Sequence, residues 1–154
     1  MMPLDIADKK LLNAVQQEAR LTADQLSEIC GLSPTAALKR FKKLRSDGVI
    51  QREVAVVAPK AVGLSVMVIA LVSLERESKD VIDRFKKSIQ SSPEIMQGYY
   101  ITGDADFVLT ITAKSMDEYE QFTRDFLYDQ HRVKNFKTLV VLDAVKTGST
   151  VPVD

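Results

Sequence analysis

The residues of this chain whose types and spacing invite chemistry lie in two short stretches. The first is Ser33-Pro34-Thr35-Ala36, followed by Lys39, Arg40, Lys42 and Lys43, and the second is Thr102-Gly103-Asp104-Ala105-Asp106. A cluster of ammonium and guanidinium groups suits a run of anions, and the nucleic-acid backbone is the run that rewards several bases at once. The second stretch offers backbone amides around a glycine beside two carboxylates. Amides can meet a ligand carboxylate while Asp104 or Asp106 meets its ammonium group, a charge-assisted pairing that is strong away from water. Tyr100, just upstream, either walls such a pocket or packs within its strand. Glycine and aspartate are also what any hairpin turn wants, so a plain turn competes with the ligand reading. Other chemistry is thinly supplied. His131 is the single histidine and Cys30 the single cysteine, so neither a zinc ligand set nor a histidine-based triad is expected. No cofactor is expected, and no glycine loop of the phosphate-cradling kind occurs.

Both stretches need elements to hold them. Placed on a helix over residues 34–46, Ala37, Leu38, Phe41 and Leu44 fall on one side, and Thr35, Lys39, Lys42 and Lys43 on the other, with Ala36 and Arg40 at its flank. Ser33 caps this helix, Pro34 takes the first-turn position where a missing N–H does no harm, and Gly48 stops it. Ahead of it, Thr22 and Gln25 have capping-box spacing for a short helix presenting Leu26, Ile29 and Cys30, which Gly31 ends. A first helix, capped by Asp5, carries Ile6, Leu11, Leu12 and Val15 on its apolar side. Gly31 and Leu32 alone separate the second and third helices, the tight turn of a helix-turn-helix. In that motif the helix after the turn enters the major groove of double-stranded DNA. Thr35 and Ala36 are small enough to let the helix start approach base edges, and the N–H groups beside Ser33 and Pro34 suit a phosphate oxygen. Lys39, Arg40 and Lys43 supply the backbone grip. A solvated basic face is the plain alternative; the tight turn ahead of it favours DNA.

Past residue 50 the pattern changes. Residues 51–62 read as an extended connector between a helix-turn-helix domain at 1–50 and a second domain at 63–154. The second domain reads as strand 66–74, helix 79–91 (apolar at Val81, Ile82, Phe85 and Ile89), strand 95–101 and strand 107–113. A helix then starts at the Ser115–Glu118 capping box with Tyr119, Phe122 and Phe126, and a last strand spans about 136–145. The series βαββαβ is the ferredoxin-like arrangement, which makes the whole chain α+β. Both helices of that arrangement cover one face of the sheet. The strands at 66–72 and 139–142 are nevertheless apolar on both faces, so the open face needs cover, and a second subunit is the expected cover.

Composition sets the outer limits. With 154 residues, 45% hydrophobic and 27% charged, the chain holds one or two small folded domains and is far from the disordered corner. Net charge is zero, yet residues 33–47 hold five bases and one acid, a local asymmetry that the total conceals. The apolar run at 66–74 is half the length a membrane helix needs. A lone cysteine and no charged-then-apolar leader fit a reducing, cytoplasmic location.

These motifs resemble one family. Gly31-Leu32-Ser33-Pro34-Thr35, then Leu38-Lys39-Arg40, Lys43-Leu44 and Asp47-Gly48-Val49-Ile50, are similar to the leucine-responsive/asparagine (Lrp/AsnC) transcriptional regulators. So are Tyr100-Ile101-Thr102-Gly103-Asp104-Ala105-Asp106-Phe107 and the ending Val145-Lys146 with Pro152 after it. The resemblance implies a winged helix-turn-helix joined to a ferredoxin-like domain of the kind that regulates amino-acid metabolism. It also implies a homodimer that assembles further, often to an octamer, and an amino-acid effector held between dimers. By position, Ser33, Pro34 and Thr35 match the start of the family's recognition helix, and Lys39, Arg40 and Lys43 its basic positions. Gly103, Asp104, Ala105 and Asp106 match the loop bordering the effector pocket. The apolar surroundings favour leucine or methionine as effector. Two departures are visible: Arg52-Glu53-Val54 stands where an aromatic residue is usual, and Gln130-His131-Arg132 where a Pro-Gly turn often precedes the last strand. Two rivals share the scaffold, a tetrapyrrole decarboxylase-like enzyme and an amino-acid-sensing module without DNA binding. The single histidine argues against the first and the basic stripe against the second.

Overall fold

The structure, a computed structural model, describes residues 3–75, 78–129, 133–148 and 150–154, without the side chains of Tyr128 and Asp129. The turn at Gln130-His131-Arg132 therefore lies outside the described residues. The chain forms two compact units. One runs to Val56 and also takes up Lys146–Asp154; the other is Val57–Val145. The division drawn from sequence left 146–154 with the second domain; in this mostly polar tail it is Val153 that packs on the core of the head.

The first unit, the head, contains α1 (Ile6–Val15), α2 (Ala23–Cys30) and α3 (Pro34–Ser46). Each helix begins where its cap was expected. The Asp5 carboxylate accepts from Asp8 N–H at 2.9 Å while Asp8 accepts from Asp5 N–H at 3.1 Å, and Thr22 and Gln25 form the same reciprocal box. Such boxes satisfy two of the N–H groups that a helix start leaves without partners. Gly31 closes α2 in the left-handed region (φ 72°) that side chains avoid. Leu11, Leu12, Leu26, Cys30, Ala37 and Leu44 form the core of the head. Ile6 does not join them. It stands 75% exposed while Asp8 is buried, because the first turn of α1 is the polar, bonded end and its packing begins one turn later.

Residues 51–58 carry no regular structure and are exposed; a 3₁₀ turn, Pro59–Val62, follows. The second unit is a four-stranded antiparallel sheet in the order β2-β3-β1-β4, built from β1 (Val66–Leu74), β2 (Ile95–Tyr100), β3 (Phe107–Ala113) and β4 (Val133–Val140). Helix α4 (Lys79–Ser91) crosses from β1 to β2, and α5 (Met116–Thr123), extended by a π-helical turn at Arg124–Asp129, leads from β3 to β4. This is the βαββαβ arrangement expected. Val68, Ala70 and Val72 of β1 and Phe107, Leu109 and Ile111 of β3 face the helices, where they bury Phe85, Tyr119 and Phe126. Phe85 meets Phe107 edge-on, ring centres 4.7 Å apart, the arrangement aromatic quadrupoles favour. Burial raises the Tyr119 phenol pKa, and a 2.8 Å hydrogen bond with Thr138 opposes that rise while tying α5 to β4.

The last strand differs from its expected position at 136–145. β4 starts at Val133, opposite Leu74, and ends at Val140, opposite Val68; just past it the Val141 N–H reaches back to Met67 O at 2.9 Å. Apolar composition marked 141–145 as strand, but a strand needs a ladder and β1 has little left to offer. Leu142 is 98% exposed as a result.

Candidate DNA-reading face and effector loop

The cap of α3 is made by Ser33, whose Oγ accepts from Ala36 N–H at 3.3 Å, with Pro34 as first helical residue. Ala37 and Leu44 anchor the inner side of the helix, so Thr35, Ala36, Lys39, Lys42 and Lys43 are exposed. The helix thus presents a capped start with small side chains and, beyond it, ammonium groups. A cleft of 330 Å³ beside it is lined by Asp8, Leu32, Ala36, Lys39, Arg40 and Lys43.

Arg40 is employed differently from its neighbours. Its Nη1 donates to Asp5 Oδ2 at 2.6 Å and to Asp8 Oδ1 at 2.9 Å, which ties α3 to the start of α1. The arginine side chain is 31% exposed and that of Asp8 only 7%. Hydrogen bonds to Asp8 and then Asp5 raise the guanidinium pKa further. The Asp5 carboxyl is held below its usual value, first by the Asp8 N–H and then by Arg40. Of the seven residues expected at DNA, the structure leaves Ser33, Pro34, Thr35, Ala36, Lys39 and Lys43 exposed at the start and along the outer side of α3, and turns Arg40 toward α1. The connector adds one contact that sequence did not suggest: Glu53 pairs with Arg45 of α3 at 3.4 Å.

In the second unit the loop between β2 and β3 is stapled to the end of β1. Ile101 N–H donates to Asp106 O and Asp106 N–H to Val72 O, both at 2.9 Å. A register shift at Ser73/Leu74 interrupts the β1–β4 ladder, and the Leu74 N–H there donates to Asp106 Oδ2 at 2.7 Å. Asp106 thus spends its carboxylate on the fold. Asp104 does not: its backbone oxygen accepts from Ser73 Oγ at 3.4 Å, while its carboxylate has no partner among the described residues. Gly103 takes φ 120°, a conformation side chains rarely adopt, and leaves its surroundings open. Thr102, Gly103 and Asp104 are exposed, with Ala105 half-buried behind them.

Tyr100 pairs opposite Phe107 and shares its face, ring centres 5.0 Å apart, with Lys86 Nζ 4.8 Å above the ring. It sits under α4. Tyr99, on the opposite face beside Val108, is the aromatic residue of the open sheet. Counting alternation back from Phe107 was the signal that separates the two. A larger cleft, 570 Å³, opens elsewhere in this unit, among Leu64, Glu94, Glu118, Phe122, Asp125 and Phe126.

A capped, basic helix after a tight turn and an antiparallel sheet carrying a Gly-Asp loop define a helix-turn-helix regulator with a ligand-binding domain. Comparison with known proteins agrees with that class. Residues 4–51 match the model of the winged helix-turn-helix DNA-binding domain, and residues 67–151 that of the Lrp/AsnC ligand binding domain. The chain is 57% identical over 153 residues to an HTH-type transcriptional regulator of Sinorhizobium fredii, covering 99% of this chain and 90% of that one. It is 31% identical over 146 residues to the leucine-responsive regulatory protein of Escherichia coli, covering 95% and 89%. Among solved structures, a transcriptional regulator of Neisseria meningitidis in complex with L-methionine superposes with a TM-score of 0.91 at 31% identity, covering 97% of each chain. The chain belongs to the Lrp/AsnC family of transcriptional regulators. It carries that family's DNA-binding and ligand-binding domains, and its relatives are named as regulators rather than enzymes. Among the described residues no helix is long and apolar enough to cross a membrane.

Proposed function

We propose that this regulator acts in the cytoplasm on double-stranded DNA as a dimer or a larger assembly such as an octamer, and that a small aliphatic amino acid, leucine or methionine, tunes its occupancy. The division of labour in the two stretches carries the proposal. Arg40 and Asp106 bond within the fold, whereas Lys39 is presented outward and the Asp104 carboxylate has no partner among the described residues. The reading assigns Ser33, Pro34, Thr35, Ala36, Lys39 and Lys43 to DNA, with base edges met near the helix start and phosphates along it. It assigns the backbone amides near Gly103 and Ala105 to the effector carboxylate and Asp104 to its ammonium group. The loop is an exposed rim rather than a closed cavity, which suits a pocket completed by a second copy. The neighbour holding L-methionine and the relative named leucine-responsive support this class of effector. Binding alters DNA occupancy only if the ligand prefers one assembly or head arrangement over another.

Thermal unfolding of the purified protein against each of the twenty amino acids tests it. A ligand at about 100 times its Kd adds about 2.7 kcal/mol to the folded state, a readable rise in Tm. The expected result is a shift with leucine or methionine that Asp104→Ala abolishes while leaving the unliganded Tm unchanged. A shift with neither, or one that Asp104→Ala leaves intact, refutes the assignment of the loop.

A further inference from the structure

Residues 150–154 belong to the head, and what holds them there is specific. Gln16, the C-cap of α1, grips Val151 at both polar atoms: its Oε1 accepts from Val151 N–H at 2.6 Å and its Nε2 donates to Val151 O at 3.1 Å. One helical turn away, Asn13 Nδ2 donates to Val153 O at 2.9 Å. The Val153 side chain packs against the core of the head. A side-chain amide that gives one donor and one acceptor to a single residue offers what a neighbouring β-strand would offer it. Pro152 lies between the two gripped residues, where it has no N–H to leave unpaired and restricts its own φ. All three hydrogen bonds go to the C-terminal end of α1, at Asn13 and Gln16.

The chain therefore joins its two units twice, leaving the head after Val56 and returning to it at Lys146. The outgoing link, residues 51–58, is exposed and without regular structure. Alone, it would leave the head on a flexible tether. The returning link starts at the sheet, where Val141 N–H still bonds Met67 O, and finishes on α1. We propose that residues 150–154 are a reversible strap, the docking end of a second chain link that limits how far the head can move. All three strap bonds are exposed to water, and among the described residues no ion pair reinforces them. Exposed bonds of this kind are individually weak, and each strap residue loses freedom on docking, so the strap opens and closes rather than locking. A docked strap leaves each head less free chain on which to move. An undocked one lets each head search a larger volume, which lowers its effective concentration at the second half-site. This consequence rests on the DNA-reading proposal above; the strap itself does not.

The test uses the full chain in a Cys30→Ala background, with spin labels at Glu28→Cys in the head and Lys87→Cys in the second unit, diluted into unlabelled protein. Pulsed dipolar spectroscopy then reads the distribution of head-to-sensor distances. Deleting residues 150–154 should broaden that distribution, and Asn13→Ala with Gln16→Ala, which leaves Val153 in place, should broaden it as well. With duplex DNA carrying two half-sites, both changes should weaken binding about tenfold, while affinity for a single half-site stays within about twofold. An unchanged distance distribution overturns the strap. So does an equal loss at one and two half-sites, which would make the tail merely part of the head's fold. If the unaltered protein binds no duplex DNA, the DNA-reading proposal fails, and the distance distribution alone still decides for or against the strap.

Discussion

Arg40 shows how a residue can sit on a recognition helix and still belong to the core. Two carboxylates, one of them nearly out of water, converge on one guanidinium nitrogen. Removing the arginine would leave the buried Asp8 carboxylate without its cationic partner, with only the Asp5 N–H still bonded to it, which costs more than the pair itself contributes. Because Arg40 stays a third exposed, Arg40→Ala is expected to cost about 2 kcal/mol, below the range for fully buried pairs. The pH dependence follows from Asp5. Its carboxyl titrates below the usual value in the folded head, so its contribution is present above the unfolded value and is lost as pH falls through the folded one. In Arg40→Ala the acid limb of unfolding should move to higher pH, but only part of the way to the unperturbed position, because the Asp8 N–H, the larger cause, remains. Lys39→Ala should instead leave Tm and the acid limb unchanged and make duplex binding weaker and less sensitive to salt. Circular dichroism from pH 2 to 7 and a salt titration of DNA binding read the two variants. An Arg40→Ala protein as stable as the parent would return Arg40 to the DNA-contacting set.

Among elements, β2 and α4 approach one another closely at Gly98. A Cβ there would stand 2.6 Å from Ile89 Cγ2 and 3.3 Å from Leu109 Cδ2. The obstructing methyl sits on a β-branched side chain that is stiff at χ1 and cannot swing away cheaply. Gly98→Ala is expected to cost about 1–3 kcal/mol by overpacking, and adding Ile89→Leu, which removes that branch, should recover part of it; thermal unfolding measures both. A Gly98→Ala protein of unchanged Tm would mean that α4 is free to shift. Caps, turns and apolar periodicity are local signals, and they made the three helices of the head, the order βαββαβ and the outward lysines legible in the sequence. Features that depend on a distant partner were not. The end of β4 depends on how much of β1 remains to pair, the side of Tyr100 on its register with Phe107, and the roles of Arg40 and Asp106 on Asp8 and on a bulge at Leu74. The docking of Val151 on Gln16 joins positions far apart in sequence, and no periodicity carries such a pairing.

For the molecule as a whole, the face of the sheet turned away from the helices is what most demands a partner. Along β1 the helix-facing residues Val68, Ala70 and Val72 are fully buried, while Met67, Ile69 and Leu71 between them are only half covered. Their ladder neighbours on that face include Val108, Thr110 and Leu139, with Tyr99 next to Val108. An apolar face of this kind is unusual on a monomer and suits an interface between copies. Ile69 lies near its middle, between Thr110 and Leu139. In an isolated chain Ile69→Glu would place a solvated carboxylate on a strand surface at little cost. In a face-to-face assembly the same carboxylate would be trapped without a partner, at a cost of several kcal/mol. The expected outcome is a protein with unaltered far-ultraviolet circular dichroism whose mass by light scattering falls below that of the parent. Its binding to DNA with two half-sites should weaken sharply, because two heads no longer arrive together. A parent that is itself monomeric, or an Ile69→Glu protein of the parent's mass, would show that the apolar face is not where copies of this chain meet.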